Sequence, residues 1–406
     1  MQTTNTMTPL ICGKLIAVFG TLTILCGDSA VAQVENRHSQ DQTRYRVVDL
    51  GTLGGTSSAG WGINDRGWVS GVSSLPGDAQ SRAFLWRRGV MTDLGTLGGP
   101  NSWSYFPLNE RGTVTGGAET SSLDPMGEDF CGLGTYLTCL PVVWRNGSIA
   151  PLPLLGGGNG AAFGLNNRGQ VAGEAETNVV ESTCVSPQVL QFKPVIWDRH
   201  GIHELPTFPG DPVGAALAIN DRGDAVGWSG TCAPGYGPHE TFLHALLWKN
   251  DAMTDLGSLG GKTNVVASDI NSRGQATGYS NLAGDATHHA FFWQAGVMKD
   301  LGTLAGDVAS DASDINEIGQ VVGSSQDASG NPRAFVWQRG TMVDLNELIP
   351  ANSPLLLLYG GSINSRSEIT GVALLKGTTE THAFLATPCG GDRFESRDCE
   401  PGFKSK

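Results

Sequence analysis

The residues best suited to chemistry in this 406-residue sequence are carboxylates and aromatics gathered in a few stretches. Glu119, Asp124, Glu128 and Asp129 fall in one, and Glu174, Glu176 and Glu181 in the next. Such a set could hold a cation or accept hydrogen bonds from a polar ligand. A solvated acidic rim accounts for the same residues, because surface carboxylates are usually just exposed. Trp61, Trp103, Tyr105 and Phe106 supply rings that could stack on a sugar or a peptide, although large aromatics are mainly buried payload.

Signatures of catalysis are few. The sequence contains no GxSxG elbow, no P-loop and no GxGxxG. His239-Glu240-Thr241-Phe242-Leu243-His244 resembles a zinc signature, but its histidines are five apart. Two histidines on one helical face need a spacing of four, so no metal and no cofactor is expected. His288, His289 and His382 precede similar apolar strands and read as structural residues. Asn146-Gly147-Ser148 matches a glycosylation sequon, yet Asn-Gly is also what a tight turn requires.

The elements that must position these residues come from a repeat. Ile63-Asn64-Asp65-Arg66-Gly67 returns at Leu108-Asn109, Leu165-Asn166, Ile219-Asn220, Ile270-Asn271 and Ile315-Asn316, each with Gly three residues after the Asn, and in degenerate form at Ile363-Asn364-Ser365-Arg366-Ser367. Successive Asn positions differ by 45, 57, 54, 51, 45 and 48. Units of this length point to propeller blades or arrays. Each unit reads as four strands. Strand A ends at the Ile/Leu-Asn pair, followed by an N-x-x-G turn. Strand B is short and ends in Gly, as in Gln170-Val171-Ala172-Gly173. Strand C is apolar and ends in Trp, as in Ala83-Phe84-Leu85-Trp86 and Pro194-Val195-Ile196-Trp197. Strand D follows, as in Val90-Met91-Thr92-Asp93-Leu94-Gly95, and a Gly-rich link leads on. Trp61, Phe106, Phe163 and Leu217 share one repeat position, two before the Ile/Leu-Asn pair, which argues that most of them are core.

The two ends complement each other. The seventh unit stops after strand C (His382-Ala383-Phe384-Leu385), and the array opens with an orphan strand D, Tyr45-Arg46-Val47-Val48-Asp49-Leu50-Gly51. Pairing them would close the ring and remove the exposed sheet edges of an open array. The expected fold is therefore all-β: a closed seven-bladed β-propeller of four-stranded antiparallel blades over 45–387, its last blade completed by the N-terminal strand.

The recurring D-L-G-T-L-G-G, I-N-x-x-G and H/R-A-F-x-W phrases resemble the HAF-repeat family of extracellular proteins. The best matches are His289-Ala290-Phe291-Phe292-Trp293, His382-Ala383-Phe384, Arg82-Ala83-Phe84 and Arg333-Ala334-Phe335. Pro141 and Pro194 replace the His/Arg-Ala start in units 2 and 3. The resemblance covers roughly 45–386 and implies an exported repeat protein; it carries no catalytic residues.

Outside the array, residues 1–32 read as a signal peptide: Lys14, the apolar stretch Leu15 to Leu25, and a small-x-small site at Ala30-Val31-Ala32. Residues 33–44 form a linker and 388–406 a C-terminal tail. Six cysteines remain after cleavage, an even number in an exported chain. The favoured bridges are Cys131–Cys139, Cys184–Cys232 and Cys389–Cys399, although spacing alone permits fifteen pairings. The net charge of −13 opposes nucleic-acid binding, and no later segment is long enough for a transmembrane helix.

Antiparallel blades place the A–B and C–D turns on one face and the B–C loops and D–A links on the other. The B–C loops of units 2–4 (Gly117 to Leu140, Glu174 to Lys193, Trp228 to His244) are the longest and hold four of the six cysteines. Variable loops on a rigid scaffold concentrate binding residues. The expectation is a secreted binding module, extracellular or periplasmic, recognising a glycan, peptide or protein through that face. Candidate contacts are Trp61, Trp103, Tyr105, Glu119, Asp124, Glu128, Asp129, Glu174 and Glu176. A propeller enzyme acting on extracellular polysaccharide and a structural matrix protein are the alternatives, because fold does not decide function.

Overall fold

The computed structural model describes residues 43–105, 108–232, 241–250 and 252–390. The expected signal peptide, the linker up to 42, the histidine signature at His239 and Glu240, Phe106, Cys399 and the tail beyond 390 lie outside them. The described chain forms seven four-stranded antiparallel sheets arranged as a β-propeller, with a single short 3-10 turn, Leu345–Glu347. The innermost strands A are Ser58–Ile63, Gly98–Trp103, Gly156–Leu165, Val213–Ile219, Gly260–Ile270, Ala309–Ile315 and Leu355–Ile363. No helix among the described residues is long and apolar enough to cross a membrane.

The ring closes as the two half-units predicted. Strand Tyr45–Asp49 pairs antiparallel with Thr381–Pro388, with Tyr45 opposite Pro388 and Asp49 opposite Phe384. His382 Nδ1 meets the Asp49 carboxylate at 2.9 Å across this joint. The same contact explains the repeat phrase. The His or Arg that opens strand C pairs with the Asp of strand D in the same blade: His289–Asp300 at 3.0 Å, Arg333–Asp344 at 3.1 Å and Arg82–Asp93 at 3.7 Å.

A second device runs around the whole ring. Each repeat Asn accepts from two backbone N–H groups of its own turn, as Asn64 Oδ1 does from Arg66 and Trp68. Its Nδ2 then donates to the backbone carbonyl of the corresponding Asn in the next blade. All seven of these bonds are present, at 2.9 to 3.4 Å, and the seventh joins Asn364 to Asn64 O. One residue type thus folds the A–B turn and ties the blades together, which accounts for its presence in every unit. Apolar packing between blades does the rest, with the strand C tryptophans Trp144, Trp197, Trp248, Trp293 and Trp337 all buried.

Two expectations need correction. Strand B does not end at its glycine: in blade 3 it runs from Val171 to Val180. The glycine lies mid-strand because strand A leans on it. A Cβ on Gly173, Gly278 or Gly371 would sit 2.2, 1.9 or 1.8 Å from a strand A carbonyl oxygen, and the other four blades are alike. The long B–C loops of blades 2 and 3 are also partly strand. In blade 2 the ladder continues to Leu123 opposite Leu137, and in blade 3 to Val180 opposite Leu190. Chain that leaves the ring must still satisfy its backbone N–H and C=O groups, and continued pairing does so.

Candidate functional site

The extended hairpins of blades 2 and 3 carry most of the predicted carboxylates, but turn them inward. Glu119, Asp124, Glu128 and Glu176 are 1%, 6%, 0% and 0% exposed. Glu119 Oε2 accepts from Asn101 N at 3.0 Å and Nδ2 at 2.9 Å, and its other oxygen accepts from Thr135. Asn159 is the hub of the remaining three. Its Nδ2 donates to Asp124 at 2.9 Å and to Glu176 at 3.1 Å, and lies 3.5 Å from Glu128. Glu128 Oε1 accepts from Val189 N and Leu190 N at 2.7 and 2.6 Å, and Gln188 Nε2 bridges Glu128 and Glu176. Burial, and then the Glu128 charge, push the Glu176 carboxyl up to about 8. Asp124 and Glu128 staple the blade 2 hairpin to blade 3, Glu119 and Glu176 brace their own blades, and all four are buried away from a ligand. Asp129 is half-buried, accepting from Leu133 N and Gly134 N at 3.2 and 2.8 Å, and Glu174 is half-buried on strand B.

Disulfides brace the same sector. Cys131 bonds Cys139 within blade 2, and Cys184 bonds Cys232 between blades 3 and 4. Cys389 is also disulfide-bonded, and its expected partner Cys399 lies outside the described residues. His244 binds Asp211 at 2.8 Å and stacks on Phe208. Among the described residues no group of three His, Cys, Asp or Glu could hold a metal ion. Asn146 and Gly147 have φ of 53° and 79°, the left-handed pair a type I′ hairpin turn needs.

The aromatics form a cluster of their own. Trp103 stacks on Tyr105 with centroids 4.9 Å apart and on Phe163 at 5.9 Å; Trp61 meets Tyr105 edge-on at 6.1 Å. Trp103 is buried, while Trp61 and Tyr105 are half-buried. The positions of Trp61 and Phe163 follow from a defect that the six strands A with described ends share. The pairing of strand A with strand B slips just before the Ile/Leu-Asn pair, leaving Trp61, Leu217, Ser268, Ser313 and Gly361 as the unpaired residue, and Phe163 with Gly164 in blade 3. Such a bulge re-aims a side chain out of the normal alternation.

The bulge residue is large in blades 1, 3 and 4 and small in blades 5, 6 and 7. The result is a lopsided channel. A cavity of 570 Å³ opens beside Ser268, Ser313 and Gly361, bounded by Trp61 and Tyr105 and by Tyr279 and Tyr359. Three aspartates line it: Asp269, Asp311 and Asp314. Asp311 Oδ1 pairs with His288 Nε2 at 3.1 Å, a bond that raises the histidine's pKa. Asp269 accepts from Ile315 N at 3.1 Å, and Asp314 accepts from Ile363 N at 2.9 Å and from the Ser362 hydroxyl. Desolvation, and then the Asp314 charge, hold Asp269 well above the usual carboxylate range. Burial raises Tyr105 and Tyr359 as well, with Asp311 adding to the latter.

The cavity therefore joins Trp61 and Tyr105, both singled out in the sequence, to residues that sequence reasoning missed: Asp269, Asp311, Asp314, Tyr279 and Tyr359. A signal for them existed. The position filled by Trp61, Phe163 and Leu217 becomes Ser268, Ser313 and Gly361 in the last three units, and the residue after it becomes Asp in units 5 and 6.

No family model and no curated protein sequence matches the chain. Solved structures do resemble it. An ulvan lyase of the polysaccharide lyase class, bound to -[GlcA(1-4)Rha3S]-, is 10% identical over 84% of this chain and 93% of its own, with a TM-score of 0.41. A gluconolactonase of Xanthomonas campestris is 9% identical over 86% of this chain and 96% of its own, with a TM-score of 0.36. The Aleuria aurantia lectin in complex with Fucα1-6GlcNAc is 8% identical over 74% and 94%, with a TM-score of 0.33. At these identities the likeness extends no further than the propeller fold.

Proposed function

We propose that the chain is a secreted HAF-repeat propeller that binds short glycans, and that the ligand enters the channel cavity of blades 5–7 rather than lying on the long hairpins. The observation that carries this reading is the 570 Å³ cavity walled by Trp61, Tyr105, Tyr279 and Tyr359 and floored by carboxylates and serines. Its volume falls within the roughly 300–1,000 Å³ of small-molecule sites. Rings offer flat apolar faces for a pyranose, while aspartate and serine oxygens accept from its hydroxyls. The hairpins, whose acids are already satisfied, act as a brace over one sector of the ring.

Two disulfides among the described residues support export to an oxidising compartment.

The test is a glycan array followed by calorimetry, comparing the mature protein with Tyr359→Ala and with a variant whose hairpins 124–136 and 181–189 are shortened. Loss of binding in the first and retention in the second is the expected result. Binding that vanishes only when the hairpins are trimmed, in a variant still folded by circular dichroism, would return the site to that face.

A further inference from the structure

We infer that the glycan taken by the channel cavity carries a protonated amine, as a de-N-acetylated amino sugar does; this rests on the reading of that cavity as the glycan site. Two features of the wall point the same way. The first is charge. Asp269, Asp311 and Asp314 line the cavity, and among the described residues no lysine or arginine does. Asp311 is already balanced by His288 at 3.1 Å. Asp269 and Asp314 are not: the first accepts from Ile315 N, the second from Ile363 N and the Ser362 hydroxyl, and none of these donors is charged. Two neighbouring carboxyls, even when they share one proton, keep one negative charge. Among the described residues no lysine or arginine lines the cavity to balance it.

The second feature is the aromatic lining. Trp61, Tyr105, Tyr279 and Tyr359 present π-faces or edges to the same space, and the electron-rich faces of such rings attract cations, more strongly when water is excluded. A carboxylate pair alone would suit any hydroxyl donor. Combined with four rings, it favours a ligand that is both flat-faced and positively charged. A uronate-bearing polysaccharide is the opposite case, since its carboxylates would meet aspartates.

The experiment is isothermal calorimetry at pH 6.5 with four soluble probes: glucosamine tetramer, N-acetylglucosamine tetramer, cellotetraose and a lysine tetrapeptide. The inference predicts that the glucosamine tetramer binds at least about tenfold tighter than either neutral tetramer, the scale of one charge-assisted contact. It also predicts that Asp314→Asn, which keeps an acceptor for Ile363 N, erases this preference by weakening the glucosamine tetramer far more than either neutral tetramer. Should the variant unfold, raising the salt of the wild type from 50 to 500 mM provides the second arm: only the glucosamine tetramer should weaken, by several-fold. Equal binding of all three sugars, or a preference for a neutral one, overturns the inference and leaves the glycan reading intact. Tightest binding of the lysine peptide overturns both, as does no binding of any probe.

Discussion

If the asparagine collar closes the ring, Asn364→Ala should cost as much stability as Asn271→Ala. The two side chains are matched. Asn271 accepts from Arg273 N and Gln275 N and donates to Asn316 O at 3.0 Å in the next blade. Asn364 accepts from Arg366 N and Glu368 N and donates to Asn64 O at 3.0 Å, across 300 residues of sequence. Either truncation orphans two backbone N–H groups and removes the bond between blades, while the carbonyl on the next blade keeps the bond from its own turn glycine, Gly319 N or Gly67 N. Each orphaned N–H costs about 1–3 kcal/mol when buried, and allowing for water reaching the exposed edge of the turn, the total with the lost bond should be about 3–5 kcal/mol. Roughly a third of that belongs to the bond between blades. Urea unfolding at pH 7 measures the loss as a shift in midpoint at constant slope. Asn364→Asp does not isolate the joint, because Asn364 Nδ2 also donates to the buried Glu368 carboxylate at 2.7 Å and the new carboxylate would face it. An open array has no Asn64 carbonyl beside Asn364, so a loss at Asn364 smaller than at Asn271 by more than about 1 kcal/mol would refute closure through the collar.

Four further outcomes follow from the geometry. Glu176 titrates near 8 in the folded chain against an ordinary 4.5, so the folded state binds the extra proton and stability should fall as pH rises from about 4.5 toward 8; Glu176→Gln should flatten that slope in urea titrations run across the window. Replacing Cys184 and Cys232, 48 residues apart, with serine should cost about 4 kcal/mol, against about 2.5 for Cys131 and Cys139, 8 apart, by loop-closure entropy; the ranking is read from unfolding midpoints. Gly278→Ala should destabilise by about 3 kcal/mol, since its Cβ would lie 1.9 Å from the Val266 carbonyl oxygen, which backbone pairing holds in place. Ser268→Leu, which copies blade 4's Leu217 into blade 5, should fill the cavity and abolish glycan binding in calorimetry while leaving the melting temperature within a few degrees.

The fold was legible because its determinants repeat. The Ile/Leu-Asn turn recurs in all seven units, the apolar run ending in Trp in six and the Asp of strand D in five, and each satisfies local backbone or packing needs, so periodicity reveals them. Closure was legible for a related reason: Tyr45 to Leu50 lacked partners and His382 to Leu385 lacked a neighbour, and unpaired edges must be covered. The pairing of Cys131 with Cys139 and of Cys184 with Cys232 followed from which hairpins the repeat makes adjacent.

The site was much less legible. Asp124, Glu128 and Glu176 sit in stretches that read as loops, and nothing in their spacing says that Asn159 and Gln188, bonded to them across as many as 60 residues, will consume their oxygens, or that Asn101 and Thr135 will consume those of Glu119. Whether a carboxylate is a ligand or a staple is decided by those non-repeating contacts. The cavity shows the same division. The sequence by itself determined that units 5–7 carry Ser268, Ser313 and Gly361 where earlier units carry large side chains. Only the tertiary structure decided what that difference means, because a bulge breaks the two-residue alternation from which facing is normally read. Without the bulge, pattern alone assigns those positions to the core between blades; with it, they become the wall of an open channel.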